Sequence, residues 1–157
     1  MKFFEYIQMN EFQDRFGRLV TFHEDLNGMD FDCVVLSGLD LSGRVMEGAS
    51  FCDAKLVEVN FKDADLYWAI FFRADLTRSI MHGAILRGAD LKEATLVDAD
   101  LTDIDASVDD LGSGTQLQGA NLKGCLIEGA RFQGAIYDRH TIFPDGFDPK
   151  LHGMREA

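Results

Sequence analysis

The hydrophobic positions of this 157-residue chain recur every five residues over most of its length. From Glu24 to Arg139 the sequence divides into 23 units, all of five residues except DDLGSG at 109–114, which has six. The third residue is large and apolar in 22 of these units, and Ala106 is the exception. The first residue is small in most units and is alanine in twelve. The chain is therefore a tandem array of one short unit.

A period of five fits neither an α-helix nor a simple strand. Five residues of an α-helix turn through about 500°, so successive leucines would not form a stripe. On a strand they would alternate between the two faces. The pattern instead predicts a chain that bends once per unit and points one large and one small side chain inward. The predicted core is formed by Phe31, Leu36, Leu41, Phe51, Leu56, Phe61, Leu66, Phe71, Leu76, Leu86, Leu91, Leu96, Leu101, Leu122 and Phe132.

Several units resemble the Ala-Asp/Asn-Leu-x-x consensus of the pentapeptide-repeat family, namely ADLTR (74–78), ADLKE (89–93), ADLTD (99–103) and ANLKG (120–124). The resemblance implies an all-β fold, a right-handed quadrilateral β-helix in which four units make one coil. On that basis 23 units give nearly six coils, a rod about 28 Å long at the usual strand spacing. Each coil of such a solenoid is stabilised mainly by its neighbours.

The repeat occupies 24–139, and residues 1–23 are predicted to form an N-terminal cap. Asn10 followed by Gln13 predicts the start of a short helix. One face of that helix would carry the apolar residues Phe12, Phe16 and Leu19. A hydrophobic lid on the first coil and an interaction arm are the two interpretations of this segment.

Residues 140–157 are predicted to form a C-terminal cap. Within them the ending TIFPDGFDP resembles that of cyanobacterial and plant-plastid members of the family. Pro144 and Pro149 are expected to prevent further ladder pairing, because proline lacks the amide hydrogen. Phe143 and Phe147 are expected to plug the last coil.

The repeat weakens at 104–114. Ala106 is too small to fill the axis, Asp109 takes a normally small inward position, and the run at 112–114 adds one residue to its unit. These features predict a local bulge or loop. Some family members carry loops at which partners bind, so the segment is either a functional loop or a packing irregularity.

Composition excludes several classes of function. The chain has 27 acidic and 15 basic residues, a net charge of −12, which argues against direct binding to nucleic acid or to an anionic membrane surface. No apolar run approaches the ~18 residues of a membrane span. The acidic residues near the N-terminus argue against a secretory signal. Three scattered cysteines suit a reducing compartment, and a cytoplasmic location is expected.

The sequence contains no catalytic motif. It has no nucleophile elbow, no HExxH, no CxxC and no phosphate-binding loop, and its four histidines share no ligand spacing. The aspartates at 98–110 do not match an EF-hand, because Asp103 stands where that loop needs glycine. We therefore expect no enzyme activity, no cofactor and no metal site.

Two surface features are candidates for binding a partner. Four apolar residues are predicted to point outward around one corner of the third coil, namely Tyr67, Trp68, Ile70 and Phe72. Arginines lie nearby, and this is the usual composition of a protein-binding hot spot. In the alternative interpretation they cover each other and a cap segment. The second candidate is the acidic part of 104–114. Together the candidate residues are Tyr67, Trp68, Ile70, Phe72, Arg73, Arg87, Asp105, Asp109 and Asp110.

These observations predict a non-enzymatic scaffold or regulator that binds another protein along a rigid acidic rod. A homodimer through an end cap is a further candidate. The family resemblance and the C-terminal ending suggest a cyanobacterial regulator of differentiation or of photosynthetic complexes. The alternative is an acidic DNA mimic that inhibits or protects a DNA-binding enzyme such as gyrase, because the rod's charge density is within about a factor of two of that of B-DNA.

Overall fold

The computed structural model describes the backbone of residues 11–13 and 19–21 and all residues from 26 to 157. Strands β1 (Glu11–Gln13) and β2 (Leu19–Thr21) pair antiparallel. The helix expected after Asn10 is therefore wrong for these residues, because a lone helix this short is marginal while apolar and β-branched residues favour a paired strand. The side chains of the expected N-terminal lid lie outside the described residues.

From residue 26 onward the chain winds into square coils. Each unit up to 99–103, and again from 115–119 to 130–134, has a turn at its fourth and fifth residues, followed by a short extended segment that pairs in parallel with the neighbouring coils. Asp65, for example, pairs with Val45 on one side and Ile85 on the other, twenty residues away in each case. This spacing confirms the all-β quadrilateral solenoid with four units per coil.

The paired residues form four walls. Wall 1 contains Val45, Asp65, Ile85, Asp105 and Arg131; wall 2 contains Asp30, Ser50, Ile70, Asp90, Gln116 and Ile136; wall 3 contains Val35, Lys55, Asp75, Thr95, Asn121 and Ile142; wall 4 contains Asp40, Asn60, Ile80, Asp100 and Leu126.

The interior follows the two inward positions of the unit. Every residue predicted for the core is buried, with no more than 3% of its surface exposed. The ring of Phe51 stacks between those of Phe31 and Phe71, at centroid distances of 5.0 and 4.9 Å. Alanines at first positions, such as Ala64 and Ala69, are fully buried and let adjacent segments approach. The axis is thus filled by large side chains and the corners are closed by small ones.

The turns depend on a left-handed backbone conformation. The fifth residue of each five-residue unit from Gly28 to Gly134 has a positive φ, between 54° and 75°, with Val108 as the exception. Even Trp68 and Arg73 adopt this conformation. Val108 is β-branched, and a positive φ is strongly disfavoured for such residues. The regular path ends at this residue.

Six residues, 109–114, leave the walls after Val108. Asp90 pairs with Gln116, twenty-six residues along the chain, and regular twenty-residue pairing resumes where Gln116 pairs with Ile136. We call 109–114 the insertion loop. The insertion loop lies in the segment for which the sequence predicts a bulge or loop, and Leu111, which occupies a third position in the repeat pattern, is 77% exposed. The regular turns stop at Val108, for which the positive φ of the usual turn is strongly disfavoured, and the polar Asp109 follows it.

The coil closes again behind the insertion loop through two small residues. The hydroxyl of Thr115 is buried and donates to the carbonyl oxygen of Leu86 at 2.7 Å. Gly114 lies against the backbone of Gly134, where any Cβ would overlap the carbonyl oxygen. A close backbone approach therefore fixes where the chain re-enters the walls.

Pairing continues beyond the two prolines of the C-terminal segment. Strand β3 (Ile136–Tyr137) pairs in parallel with strand β4 (Arg155–Glu156) at the end of the chain. The expectation that Pro144 and Pro149 end ladder pairing is therefore wrong. The prolines lie in the intervening turns, and the chain returns to add one further rung to wall 2.

Aromatic residues of the C-terminal segment cover the last coil. The rings of Phe143 and Phe147 stack at 5.0 Å and pack against the core. Phe143 meets the edge of Tyr137, and Phe147 meets that of Phe132. This contact shields the end of the apolar axis from water.

Candidate functional site at one corner of the coils

Two of the features singled out in the sequence meet at one corner of the solenoid. This corner, between walls 1 and 2, is formed by successive turns at 27–28, 47–48, 67–68 and 87–88, and we call it the first corner. The insertion loop leaves the coil at the same corner, in the next coil along the rod. The aromatic pair at 67–68 and the loop residues therefore belong to one surface.

Trp68 links the regular turns to the insertion loop. Its ring stacks on that of Tyr67, with centroids 5.4 Å apart and planes 15° from parallel. The indole then crosses Gly88, whose position leaves no room for a Cβ beneath the ring. Its Nε1 donates a hydrogen bond of 2.7 Å to the Oδ2 of Asp109. Trp68 is 46% exposed, so one part of the ring is structural and the rest faces solvent.

Asp109 organises the insertion loop from beneath this indole. It is 4% exposed, and its Oδ1 accepts hydrogen bonds from the amides of Leu111 (2.9 Å) and Ser113 (2.7 Å). Burial alone would raise its pKa, but the hydrogen bonds from the Trp68 indole and from these amides hold the pKa of Asp109 below its ordinary value. An ionised carboxylate therefore holds the loop at neutral pH.

Arg87 provides a second attachment. Its Nε donates to the carbonyl oxygen of Val108 at 2.9 Å, and its Nη2 contacts the Oδ1 of Asp110 at 2.7 Å. The hydrogen bond to Asp110 raises the pKa of Arg87 above its ordinary value. The insertion loop is thus fixed on both sides of Asp109.

A groove lies on the wall 1 side of the first corner. It has a volume of about 330 Å³, and its lining residues come from three successive coils and from the insertion loop. We call it the corner groove; it is lined by Glu47, Asp65, Tyr67, Ile85, Arg87 and Asp110. Three carboxylates and one guanidinium give this lining a net negative charge.

Exposed apolar side chains surround the corner groove. Leu111 projects from the insertion loop, and Trp68 lies two turns earlier at the same corner. Val45 and Ile85 flank Asp65 on wall 1, as the twenty-residue spacing predicts, and Ile70 lies on wall 2. All five are at least one third exposed. Clusters of this composition are typical of protein-binding surfaces.

The structure separates two of the candidate residues from this surface. Phe72 and Arg73 form the next turn, between walls 2 and 3, so the expectation that all the aromatic residues share one corner is wrong. Arg73 forms a two-pronged ion pair with Asp53 of the preceding coil and lies 4.8 Å from the centroid of the Phe72 ring. The Arg73 side chain is thus engaged in a contact between coils, with the Phe72 ring beside it.

Sequence reasoning missed the residues that join the two features. Asp105 was a candidate for binding, but its carboxylate pairs with Arg131 of the next coil at 2.8 Å and accepts from Ser107. Gly88 and Leu111, in contrast, were not candidates. One signal does mark this place, because Val108 is the single β-branched residue among the fifth positions from 28 to 134.

The acidic residues of the rod do not form one charged face. Aspartates occupy positions on all four walls, and many accept a hydrogen bond from the amide two residues later. Others pair with cations of an adjacent coil, as Glu58 does with Arg78. The negative charge is therefore distributed around the rod and partly neutralised along it.

The described residues contain no cluster of histidine, cysteine or acidic side chains able to hold a metal ion. Cys125 is buried and donates to the carbonyl oxygen of Leu96, and burial raises the pKa of its thiol to about 12. Over the same part of the chain, no helix is long and apolar enough to cross a membrane.

Comparison with known proteins agrees with this geometry. The model of the family described as pentapeptide repeats matches 36–71, 69–105 and 113–136, in 8 copies, and the interval between the last two falls at the insertion loop. No curated protein sequence matches the chain.

Solved structures of pentapeptide repeat proteins resemble it as well. The protein Rfr23 of the cyanobacterium Cyanothece 51142 is 21% identical, with a TM-score of 0.70 over 76% of this chain and 91% of that one. A protein from the thylakoid lumen of Arabidopsis thaliana is 32% identical over 75% and 72%, with a TM-score of 0.46. HetL of the cyanobacterium Nostoc, involved in the regulation of heterocyst differentiation, is 19% identical over 73% and 61%, with a TM-score of 0.34.

Proposed function

Since the chain belongs to the pentapeptide repeat family, we propose that it acts without catalysis, as a scaffold or regulator that binds a partner protein at the first corner. The insertion loop is the main contact. One observation carries this proposal: Leu111 is 77% exposed on a loop that is held in a single arrangement by hydrogen bonds to a buried carboxylate. Loops positioned by a rigid scaffold are frequent sites of binding.

The surroundings of Leu111 support the same function. The half-exposed indole of Trp68 and the exposed wall residues add apolar area on both sides of the loop. Binding a partner at a pre-ordered surface of this kind costs little conformational entropy. The free cysteines among the described residues support a reducing, cytoplasmic setting. The ending at 141–149 supports a partner from a cyanobacterial or plastid system, such as a regulator of differentiation or a photosynthetic complex.

Imitation of DNA has less support from the charge distribution. A mimic needs two extended rows of uncompensated negative charge, whereas these aspartates are spread over four walls. We therefore expect the purified protein to leave the supercoiling activity of gyrase unchanged. Inhibition or protection that weakens steeply with salt would favour the DNA-mimic function instead.

Two exposed leucines allow a matched test of the binding surface. Leu111 lies on the insertion loop and Leu151, which is 84% exposed, lies in the C-terminal segment. Proteins captured from the source cell by the wild type, by Leu111→Ser and by Leu151→Ser are identified and quantified. The proposal predicts that Leu111→Ser loses the specific partner while Leu151→Ser retains it, with unchanged melting temperatures for both. Equal capture by Leu111→Ser would contradict it.

A further inference from the structure

We propose that the corner groove receives the guanidinium group of an arginine side chain carried by the partner protein. This inference rests on the proposed function, because it names the chemistry of the partner at the same surface. It follows from the charge of the groove, from its aromatic wall and from the apolar residues at its rim.

Two carboxylates of the corner groove have no cationic partner within the part of the chain that the structure describes. Among the residues that the structure describes, Glu47 and Asp65 form no ion pair, whereas Asp110 is paired with Arg87. One oxygen of Asp65 accepts the amide of Tyr67 at 3.1 Å, which fixes the carboxylate beside the ring. Charge complementarity therefore favours a cation bound in this groove, and we assign that cation to the partner protein.

The aromatic wall favours a flat cation over a compact one. The ring of Tyr67 is backed by Trp68, whose indole is held in turn by Asp109. A guanidinium stacks on an aromatic face and can also bind a carboxylate through two parallel hydrogen bonds. An ammonium group has no plane to stack, and it is more strongly hydrated. The geometry thus fits arginine better than lysine.

The remaining surface fits the neighbours of such an arginine. The side chain of Ile85 lines the groove and can contact the methylene groups of the arginine stem. Leu111 and Val45, exposed on either side, suit apolar residues next to the arginine in the partner sequence. The occupant is accordingly a protein segment with an arginine between apolar residues.

The inference can be tested with short peptides and the unique indole. The chain has one tryptophan, so Trp68 gives a single Nε1–H resonance in a nitrogen–proton NMR spectrum. The protein is titrated with acetyl-Leu-Gly-Arg-Gly-Leu-amide and with the same peptide carrying citrulline, the neutral isostere of arginine. We expect saturable shifts of the Trp68 indole and of the Tyr67 and Ile85 amides with the arginine peptide. Absence of these shifts, or equal shifts with citrulline, would overturn the inference.

A pair of charge variants locates the site. The variant Glu47→Gln with Asp65→Asn removes two groove carboxylates and keeps the side-chain shapes. Its control, Asp98→Asn with Glu128→Gln, removes two exposed carboxylates at other corners. We expect the first variant to bind the arginine peptide at least tenfold more weakly than the wild type and the control to bind it within twofold. Equal weakening by both would show general attraction to an acidic protein and would overturn the inference.

The same variants separate this inference from the proposed function. Suppose that Leu111→Ser abolishes capture but Glu47→Gln with Asp65→Asn does not. That result would support the proposed function and contradict the arginine site. Capture that is weakened neither by Leu111→Ser nor by the groove variant would contradict both the proposed function and the arginine site. Capture lost in the groove variant and in Leu111→Ser, and retained in both controls, supports the two together.

Discussion

The regular coils at 26–103 and the corner formed by 104–117 are stabilised by different interactions. In the regular coils, parallel pairing connects the walls and large apolar side chains fill the axis, so most surface residues contribute little to the fold. The six residues of the insertion loop form no ladder with a wall. Hydrogen bonds that involve the side chains of Trp68, Arg87 and Asp109 hold them in place instead.

This difference shows where the chain can carry a binding function. A surface residue of a regular coil can change without cost to the fold, but it offers only a repetitive surface. The insertion loop offers a unique shape, and several of its hydrogen bonds are needed to maintain it. Trp68 therefore contributes to the stability of the loop as well as to its surface, which makes Leu111 the better probe of binding.

The largest expected effect concerns the axis. Phe51→Ala removes a fully buried ring that stacks on two others, and we expect a loss of about 3–5 kcal/mol in the free energy of unfolding. The same truncation at the insertion loop, Leu111→Ala, should cost less than about 0.5 kcal/mol because the side chain is already exposed. Denaturant unfolding measures both. Comparable losses would mean that the two regions do not differ as described.

A second comparison uses two glycines with the same backbone conformation. Gly43 and Gly88 have φ values of 64° and 70°, but a Cβ meets nothing within 4 Å at Gly43 and overlaps the Trp68 ring at Gly88. Alanine at either site costs about 1 kcal/mol in backbone strain. At Gly88 we expect a further ~1–3 kcal/mol from overpacking, together with a changed Trp68 emission spectrum. Equal losses of stability for the two substitutions would contradict the role of the Trp68 indole in holding the loop.

The sequence predicts the regular coils well because their determinants are local and periodic. A large residue at every third position and a small one at the first specify burial without knowledge of the partner strand, as Phe51 and Ala64 illustrate. The end segments are harder to predict. The hairpin at β1 and β2 and the returning strand β4 depend on pairing between distant residues, which local capping and proline rules do not describe.

The sequence predicts the separate segments of the candidate site but not that they meet. Its aromatic turn and its acidic segment are both visible in the sequence, but 41 residues separate Trp68 from Asp109. Their contact depends on the chain leaving the walls after Val108 and on the missing side chain at Gly88. Periodicity alone places DDLGSG inside the coil, because it assigns a leucine to the third position without testing whether Val108 can make the turn.

A smaller effect is expected from acid. The pKa of Asp109 in the folded protein lies below its ordinary value of about 3.9, so its ionised form stabilises the loop at neutral pH. That contribution is lost as the pH falls below about 4 and through the folded pKa. Asp109→Asn should therefore lack a low-pH step in Trp68 fluorescence that the wild type shows. Superimposable titrations of the two proteins would contradict the role assigned to Asp109.

The smallest effect is expected at the exposed ion pair in the corner between walls 2 and 3. Arg73 and Asp53 are both well exposed, so solvent and salt screen their attraction. Arg73→Ala should change the melting temperature only marginally at low salt and not at all in about 1 M salt. A large loss of stability that persists in high salt would contradict the view that the buried axis, and not exposed ion pairs such as Arg73–Asp53, stabilises the regular coils.

Excision of the insertion loop tests the central claim most directly. Deletion of 109–114 together with Val108→Gly restores the twenty-residue period and supplies a residue able to make the turn. The account predicts a cooperatively folded protein with the β-sheet circular dichroism of the wild type and no capture of the partner. A folded deletion variant that still captures the partner would contradict the claim that this corner is the binding surface.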